Sequence, residues 1–204
     1  MKDKQKYQRC TKGLWDSSIP DISFDAQGVS NYYKRFRKLD DAFGTGDSGY
    51  EILSNKINQI KKQKTRSKYD CIIGLSGGTD SSYLLHLAVN EWGLKPLAVN
   101  LDNGWSTNEA LSNIKKVTSS LSVDLVTYVI DYEEVKAVFR AYMKAGMPWV
   151  DAPTDLAIKS VLYTIAAEEG IKTIFLGTDF RSEGKQPVEW TYCDYKQFQF
   201  IIRK

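Results

Sequence analysis

From residue 69 onward the chain alternates short β-rich apolar runs with stretches patterned as helices. The runs are "YDCIIGL" (69–75), "KPLAVNLD" (95–102), "DLVTYVID" (124–131) and "KTIFLG" (172–177). Parallel neighbours need a long crossover between them, so this alternation predicts an α/β fold: a doubly wound parallel sheet with helices on both faces. The first run is almost continuously apolar, as a strand covered on both faces must be. The helices are read from their caps and apolar faces. One runs from Ser81 to Trp92, carries Leu84, Leu85, Leu87 and Ala88, and stops at Gly93. Ser106 with Glu109 makes a capping box for a second, to about Leu121. Asp131 caps a third whose apolar face holds Val135, Val138, Phe139 and Tyr142. Thr154 caps a fourth, turning Ile158, Val161, Leu162 and Ile165 inward before Gly170.

The first part of the chain is different in kind. "RCTKGLWDSSIPDISFDAQGVSNYYKRF" is rich in turn formers, so residues 1–50 are expected to form a small irregular segment and 51–204 the α/β domain. Within the latter, "GYEILSNKINQIKKQKTRSK" reads as a helix with a basic end. Its Lys56, Lys61, Lys62, Lys64, Arg66 and Lys68 suit a solvated face and a helix C-terminus better than a polyanion patch. Bulk composition agrees with a soluble globular protein. In 204 residues, 42% are hydrophobic and 26% charged, and a net charge of +3 does not favour nucleic acid as a partner. Three scattered cysteines, Cys10, Cys71 and Cys193, are no secreted disulfide framework. No apolar leader or membrane span is visible, so the expectation is a cytoplasmic protein without membrane insertion.

Between the first strand and its helix lies "SGGTDSS" (76–82). Ligands of open parallel sheets bind beyond the carboxyl ends of the strands. There the first N–H groups of a helix lack partners and its dipole favours an anion. Gly77 and Gly78 permit close approach and unusual backbone conformations. Ser76, Thr79, Ser81 and Ser82 add hydroxyl donors. The segment therefore reads as a phosphate cradle, although neither the Walker A pattern nor Gly-x-Gly-x-x-Gly is present. Asp80 would repel phosphate unless a cation stood between them, which makes it a candidate Mg²⁺ ligand; alone it would serve equally as a helix cap. His86, the single histidine, is read as a packed or surface residue.

"SGGTDS" (76–81) after a buried strand resembles the Ser-Gly-Gly-x-Asp-Ser signature of the PP-loop ATP pyrophosphatase superfamily. Further stretches are similar to its N-acetyl sugar amidotransferases of lipopolysaccharide, O-antigen and related surface-polysaccharide biosynthesis: "IPDISFDAQGVSNYY" (19–33), "NLDNGWSTNEALSNI" (100–114), "WVDAPTDLAI" (149–158) and "GTDFRSEGKQPVEW" (177–190). The resemblance implies ATP and Mg²⁺ as cofactors, and a loop, Ser76–Ser82, that grips pyrophosphate with Ser76, Asp80 and Ser81 as its catalytic members. It implies an acetamido oxygen, on a nucleotide- or lipid-linked N-acetyl sugar, that is adenylated and then displaced by ammonia from a glutaminase subunit. Asp102, Asn103, Gly177 and Thr178 would meet the nucleotide. Asp151, Asp155, Arg181, Lys185 and Trp190 would meet the acceptor, and Glu183 would be a second Mg²⁺ ligand. Asp179 belongs to the same polar loop as Arg181, Glu183 and Lys185, and Trp105 is a candidate for stacking.

The chain departs from that pattern twice. Where the family carries two Cys-x-x-Cys pairs, this sequence has Cys10, Gly13, Ser30 and Tyr33, so no zinc is expected, and Trp15, Ile22, Phe24 and Val29 are expected to hold the segment by packing. Members of the family also continue well beyond the position of Lys204, so either a fragment or a short form is expected, short of part of the sugar site and glutaminase surface. Two other readings keep the loop: a tRNA-thiolating enzyme, with cysteine chemistry and an RNA surface, or a non-catalytic ATP-binding protein.

Overall fold

A computed structural model describes residues 7–63, 66–184 and 187–203. The chain divides into two compact units, one of Met1–Leu53 with Thr178–Tyr192 and the other of Ser54–Gly177 with Cys193–Lys204. The second unit contains a four-stranded, all-parallel sheet in the order β3-β2-β1-β4. Its strands are β1 (Cys71–Gly74), β2 (Pro96–Asp102), β3 (Leu125–Val129) and β4 (Ile174–Phe175). All four fall where the apolar runs place them. The α/β class and the parallel sheet follow as expected.

Alternation along β1 and β2 sends two sets of side chains to opposite faces. Ile72, Leu97 and Val99 share one face, since Ile72 pairs with Leu97 and Gly74 with Val99. They pack with Leu162, Ile165, Ala166 and Ile171, from α6 (Ala152–Glu169) and the residues just after it. Ile73 and Ala98, also partners in the ladder, lie on the other face, where α3 (Thr79–His86) packs against β1. Both sets are almost entirely buried.

Coverage on both faces ends at β3. All five residues of this edge strand are exposed, and α5 (Tyr132–Lys144) packs on α8 (Tyr195–Ile202). Of the expected apolar face of α5, only Tyr142 is fully buried, in a cluster with Ala152 and Ile201.

Two helix starts differ from expectation. Helix α4 (Asn108–Leu121) is capped by Thr107, whose hydroxyl accepts from the Ala110 N–H at 3.2 Å. Ser106 is one residue too early to serve, so Glu109 lies at the second helical position and closes no capping box. Helix α6 starts two residues before Thr154, because Pro153 fits the first turn and lacks the N–H that would otherwise need a partner. Asp131 does cap α5, through Glu133 and Glu134 N–H groups at 2.8 and 3.1 Å. The helix after β1 also changes character: α-helical to His86, it is π-helical over Leu87–Glu91 before Gly93 takes a φ of +59°.

The first unit holds more regular structure than its turn-rich sequence suggests. Helix α1 (Asn31–Ala42) lies within 1–50, and α2 (Gly46–Lys62) begins before residue 51. Ser30, wholly buried, caps α1 by accepting from the Tyr33 N–H. Cys10 Sγ accepts N–H bonds from Ser30 (3.2 Å) and Lys12 (3.4 Å). Burial pushes the Cys10 thiol up, but these bonds outweigh it and leave the group below its ordinary value. Thus Cys10, Ile19 and Ser30 form the buried centre, while Trp15, Ile22, Phe24 and Val29 are only half-buried. A short helix, α7 (Val188–Thr191), completes this unit.

Candidate functional site

The loop after β1 is shaped by its own hydroxyls. Ser81 is buried, and its Oγ lies 3.1 Å from Ser76 Oγ, accepts the Ser76 N–H at 3.2 Å, and donates to the Gly78 carbonyl at 3.3 Å. Ser81 thereby locks the bend, while Ser76, Gly78, Thr79 and Asp80 are exposed. Gly78 is the N-cap of α3 and has no side chain to offer the first-turn N–H groups. That turn is left open to an external acceptor.

The loop is gripped from two sides. Gly77 takes a φ of +78°, and a β-carbon there would meet the backbone of Ala110 in α4. The glycine is therefore required first by packing of helix on loop, and only then by ligand approach. On the other side, a β-carbon on Gly177, just past β4, would lie 3.0 Å from the Ser81 N. Beneath the bend, the buried Asn100 donates from Nδ2 to the Leu75 carbonyl at 2.8 Å.

An open cleft of about 550 Å³ runs from this loop along α3 and α4. Gly77, Gly78, Thr79, Ser82 and His86 line one wall, and Asn113, Lys116, Val117 and Ser120 the other. Sequence reasoning missed the second wall. Its signal was present as a stripe, since Asn113, Lys116, Val117 and Ser120 recur at the three-to-four spacing of one helix face. His86 is exposed, stacks on Tyr83 at 6.2 Å and meets Asn90 through Nδ1 at 3.0 Å.

The other residues singled out in the sequence are placed as follows. Asp102 and Asn103 build a turn, their Oδ1 atoms accepting from the N–H groups of Gly104 (2.9 Å) and Trp105 (3.1 Å). Trp105 is half-exposed and packs on Tyr132 and Phe139. Leu162 lies against Gly74 at the end of β1, and α6 then descends to Gly170, shortly before Ile174 pairs with Ile72. The start of α6 therefore points to the carboxyl edge of the sheet, with Asp151 at its N-cap and Asp155 about 10 Å along the axis from Leu162. Asp155 is half-buried, and burial raises its pKa, with Asp151 adding to the rise and Lys159 opposing it.

Thr178, Asp179, Arg181, Glu183 and Trp190 belong to the first unit. There Arg181 is committed: Nε donates to Asp40 Oδ1 at 2.9 Å, a terminal nitrogen donates to the Phe43 carbonyl at 2.7 Å, and the guanidinium covers the Phe180 ring. Asp179 accepts from the Ser182 hydroxyl and from the N–H groups of Arg181 and Ser182, which hold its carboxyl below the usual range. Glu183 is exposed, Trp190 is half-exposed, and Lys185 lies outside the described residues. Among the described residues, no three His, Cys, Asp or Glu side chains gather as a ready metal centre.

The family model for NAD synthase matches residues 51–191. The chain belongs to the NAD synthase family. This family is of the PP-loop ATP pyrophosphatase type, and the match contains the strand, the 76–82 loop and both walls of the cleft. Among curated proteins, an uncharacterized protein of Methanocaldococcus jannaschii is 34% identical over 130 residues, covering 63% of this chain and 46% of its own. The glutamine-hydrolyzing GMP synthase of Baumannia cicadellinicola is 35% identical over 112 residues, covering 52% of this chain and 20% of its own. The chain thus spans less than half the length of these relatives. Among solved structures, the NH3-dependent NAD synthetase of Campylobacter jejuni superposes with a TM-score of 0.49 at 14% identity, covering 75% of this chain and 70% of that one. The NMN synthetase of Francisella tularensis gives 0.44 at 17%, covering 76% and 74%.

Proposed function

We propose that this chain is the ATP-handling part of a ligase that forms a C–N bond through an adenylated intermediate. The observation that carries the reading is the loop itself: a first helical turn capped by Gly78, with no side-chain acceptor, beside exposed Ser76 and Thr79 hydroxyls. Such a turn suits the β- and γ-phosphates of ATP. Asp80 is exposed at the same turn, where a carboxylate fits a triphosphate only with a divalent cation between them. Asp80 would hold Mg²⁺, which would neutralise charge on the departing pyrophosphate.

In the reaction, an acceptor carbonyl oxygen attacks the α-phosphorus and the bond to the β-phosphate oxygen breaks, releasing pyrophosphate. Ammonia then adds to the acceptor carbon, and AMP leaves with the former carbonyl oxygen. The loop's part is to orient the triphosphate and stabilise the charge on the leaving group. No nucleophilic side chain is needed, which agrees with an exposed His86 that stacks on Tyr83 and meets Asn90.

For the acceptor, we propose the acetamido group of a nucleotide- or lipid-linked N-acetyl sugar. The support is the likeness of residues 19–33, 100–114, 149–158 and 177–190 to sugar amidotransferases. We further propose a glutaminase subunit as the ammonia source; glutamine as the ultimate donor is supported by the GMP synthase relative, whose name states that it hydrolyses glutamine. The test is pyrophosphate release by the full chain with ATP, Mg²⁺, ammonium and a panel of N-acetyl sugar nucleotides, with mass spectrometry of the products. A product about one mass unit lighter, in which NH has replaced O, is expected. Pyrophosphate release with deamido-NAD or bulk tRNA, and none with any sugar, would reassign the acceptor. Absence of ATP binding would end the ligase reading altogether.

A further inference from the structure

Resting on that reading, we infer that Asn113 of α4 is a positioning residue of the phosphate loop, holding the Gly77–Gly78 peptide in the orientation that receives an anion. Asn113 Nδ2 donates to the Gly77 carbonyl at 3.1 Å. A trans peptide sets its C=O and the following N–H on opposite sides, and no peptide among the described residues is cis. Drawing the Gly77 oxygen onto α4 therefore turns the Gly78 N–H away from α4. Among the described residues that N–H makes one contact, a long one of 3.4 Å with Ser76 Oγ. Beside the first-turn N–H groups that the Gly78 cap leaves without a side-chain acceptor, it is a further, weakly held donor that an anion can readily take over.

The need for a clamp follows from the glycines. Gly77 and Gly78 lack the β-carbons that restrict neighbouring residues, so the peptide between them is the easiest in the loop to rotate. Rotated, it would direct a carbonyl oxygen at the phosphate site, replacing attraction by repulsion. Packing against Ala110 restricts the Cα of Gly77, but packing alone does not select the direction of the carbonyl. The Asn113 amide does. It acts on the ligand only through this peptide, which makes it distinct from Ser76, Thr79 and Asp80.

The test uses the full chain, magnesium pyrophosphate as the probe, and the variants N113L, N113S and T118V. Leu keeps the bulk of Asn without a donor, and the exposure of Asn113 means that no core is disturbed. Thr118 is buried on the same helix and donates to the Ile114 and Lys115 carbonyls of that helix, so T118V reports the effect of weakening α4 itself. N113L is expected to bind pyrophosphate about two- to twelvefold more weakly, the worth of one hydrogen bond, at a melting temperature within about 2 °C of the parent. Its Gly78 amide resonance should lose most of the shift that pyrophosphate causes in the parent. T118V should melt lower while keeping both affinity and the Gly78 shift. If N113L does not fold, N113S, too short to reach the carbonyl, must give the same weakened affinity and lost shift. Parent-like affinity and Gly78 response in the variants would overturn the inference alone; no binding by the parent chain would overturn the ligase reading and this inference together.

Discussion

The backbone of Ala110 fills the space that a β-carbon on Gly77 would need, with the Ala110 Cα only 2.9 Å from that position. Loop and helix α4 are in this sense one piece, joined where the sequence shows merely a glycine. Two penalties follow for Gly77→Ala. The left-handed φ of +78° costs an L-residue about 1–2 kcal/mol, and the methyl must push α4 aside because its neighbour is backbone. We expect G77A to melt roughly 4–8 °C lower and to lose magnesium pyrophosphate binding in calorimetry. A variant with parent-like melting would mean that α4 yields freely.

Asp80 should behave in the opposite manner. It is exposed in the first turn of α3, and no side-chain hydrogen bond or ion pair engages it among the described residues. Its structural worth is at most its interaction with the helix dipole, about 0.3–1 kcal/mol. Asp80→Ala is therefore expected to fold with nearly unchanged stability while ATP binding in the presence of Mg²⁺ weakens at least tenfold. Binding of ATP without the metal should weaken less, or even improve, since a negative charge has been removed from the cradle. Equal affinity for Mg-ATP in the variant and the parent would remove Asp80 from the site.

How much of this was legible in the sequence depends on the range of the interaction. Strands β1 and β2 were readable because burial on both faces leaves a dense apolar record, the exposed β3 and half-buried β4 because β-branched and aromatic residues crowd short runs, and the 76–82 loop because few chemistries need those residue types between a strand and a helix. Local competition was harder to read: Thr107 and Ser106 are equally good caps by type, and only the backbone geometry selects Thr107. Long-range pairings left no record. Nothing in "LSNIKK" announces that Asn113 reaches back 36 residues to Gly77, nor in "TDFRSEG" that Arg181 is spoken for by Asp40, 141 residues earlier. Arg181 looked available for a phosphate or sugar only because its partner was out of view.

Cys71 offers a check on the sheet. It lies at the start of β1 with no exposed surface, and burial, aided by the neighbouring charge of Asp70, pushes its thiol up to about 12. Thiolate is the reactive form, so a folded chain at pH 8 should leave Cys71 unmodified by a maleimide, while Cys193, whose thiol burial also raises but which keeps some exposed surface, reacts faster than Cys71. Cys71 should become reactive only at the rate of global unfolding, which peptide mapping after timed labelling in denaturant would measure. Rapid modification in the native chain would contradict a covered β1.

At the same amino end of the sheet, Asp124 accepts from the Tyr69 hydroxyl at 2.6 Å and from Lys68 Nζ at 2.9 Å, tying the entry of β1 to that of β3 across β2. The Tyr69 bond, then the Lys68 bond and charge, hold the Asp124 carboxyl below the usual range. A depressed carboxyl favours the folded state above the unfolded pKa of about 4, and that contribution disappears as pH falls through the lower folded value. Asp124→Asn should consequently melt below the parent at pH 7, with the two melting curves drawing together as the pH is taken well below about 4. The gap at pH 7 should be small and should shrink in high salt for the Lys68 part, because both ion-pair side chains are more than half exposed, at 72% and 60%. The tyrosine bond is less sensitive to screening, so a residual difference in high salt is expected. Lys68→Met, which removes the charge and keeps Tyr69, separates the two: its deficit at pH 7 should vanish in salt while that of D124N persists.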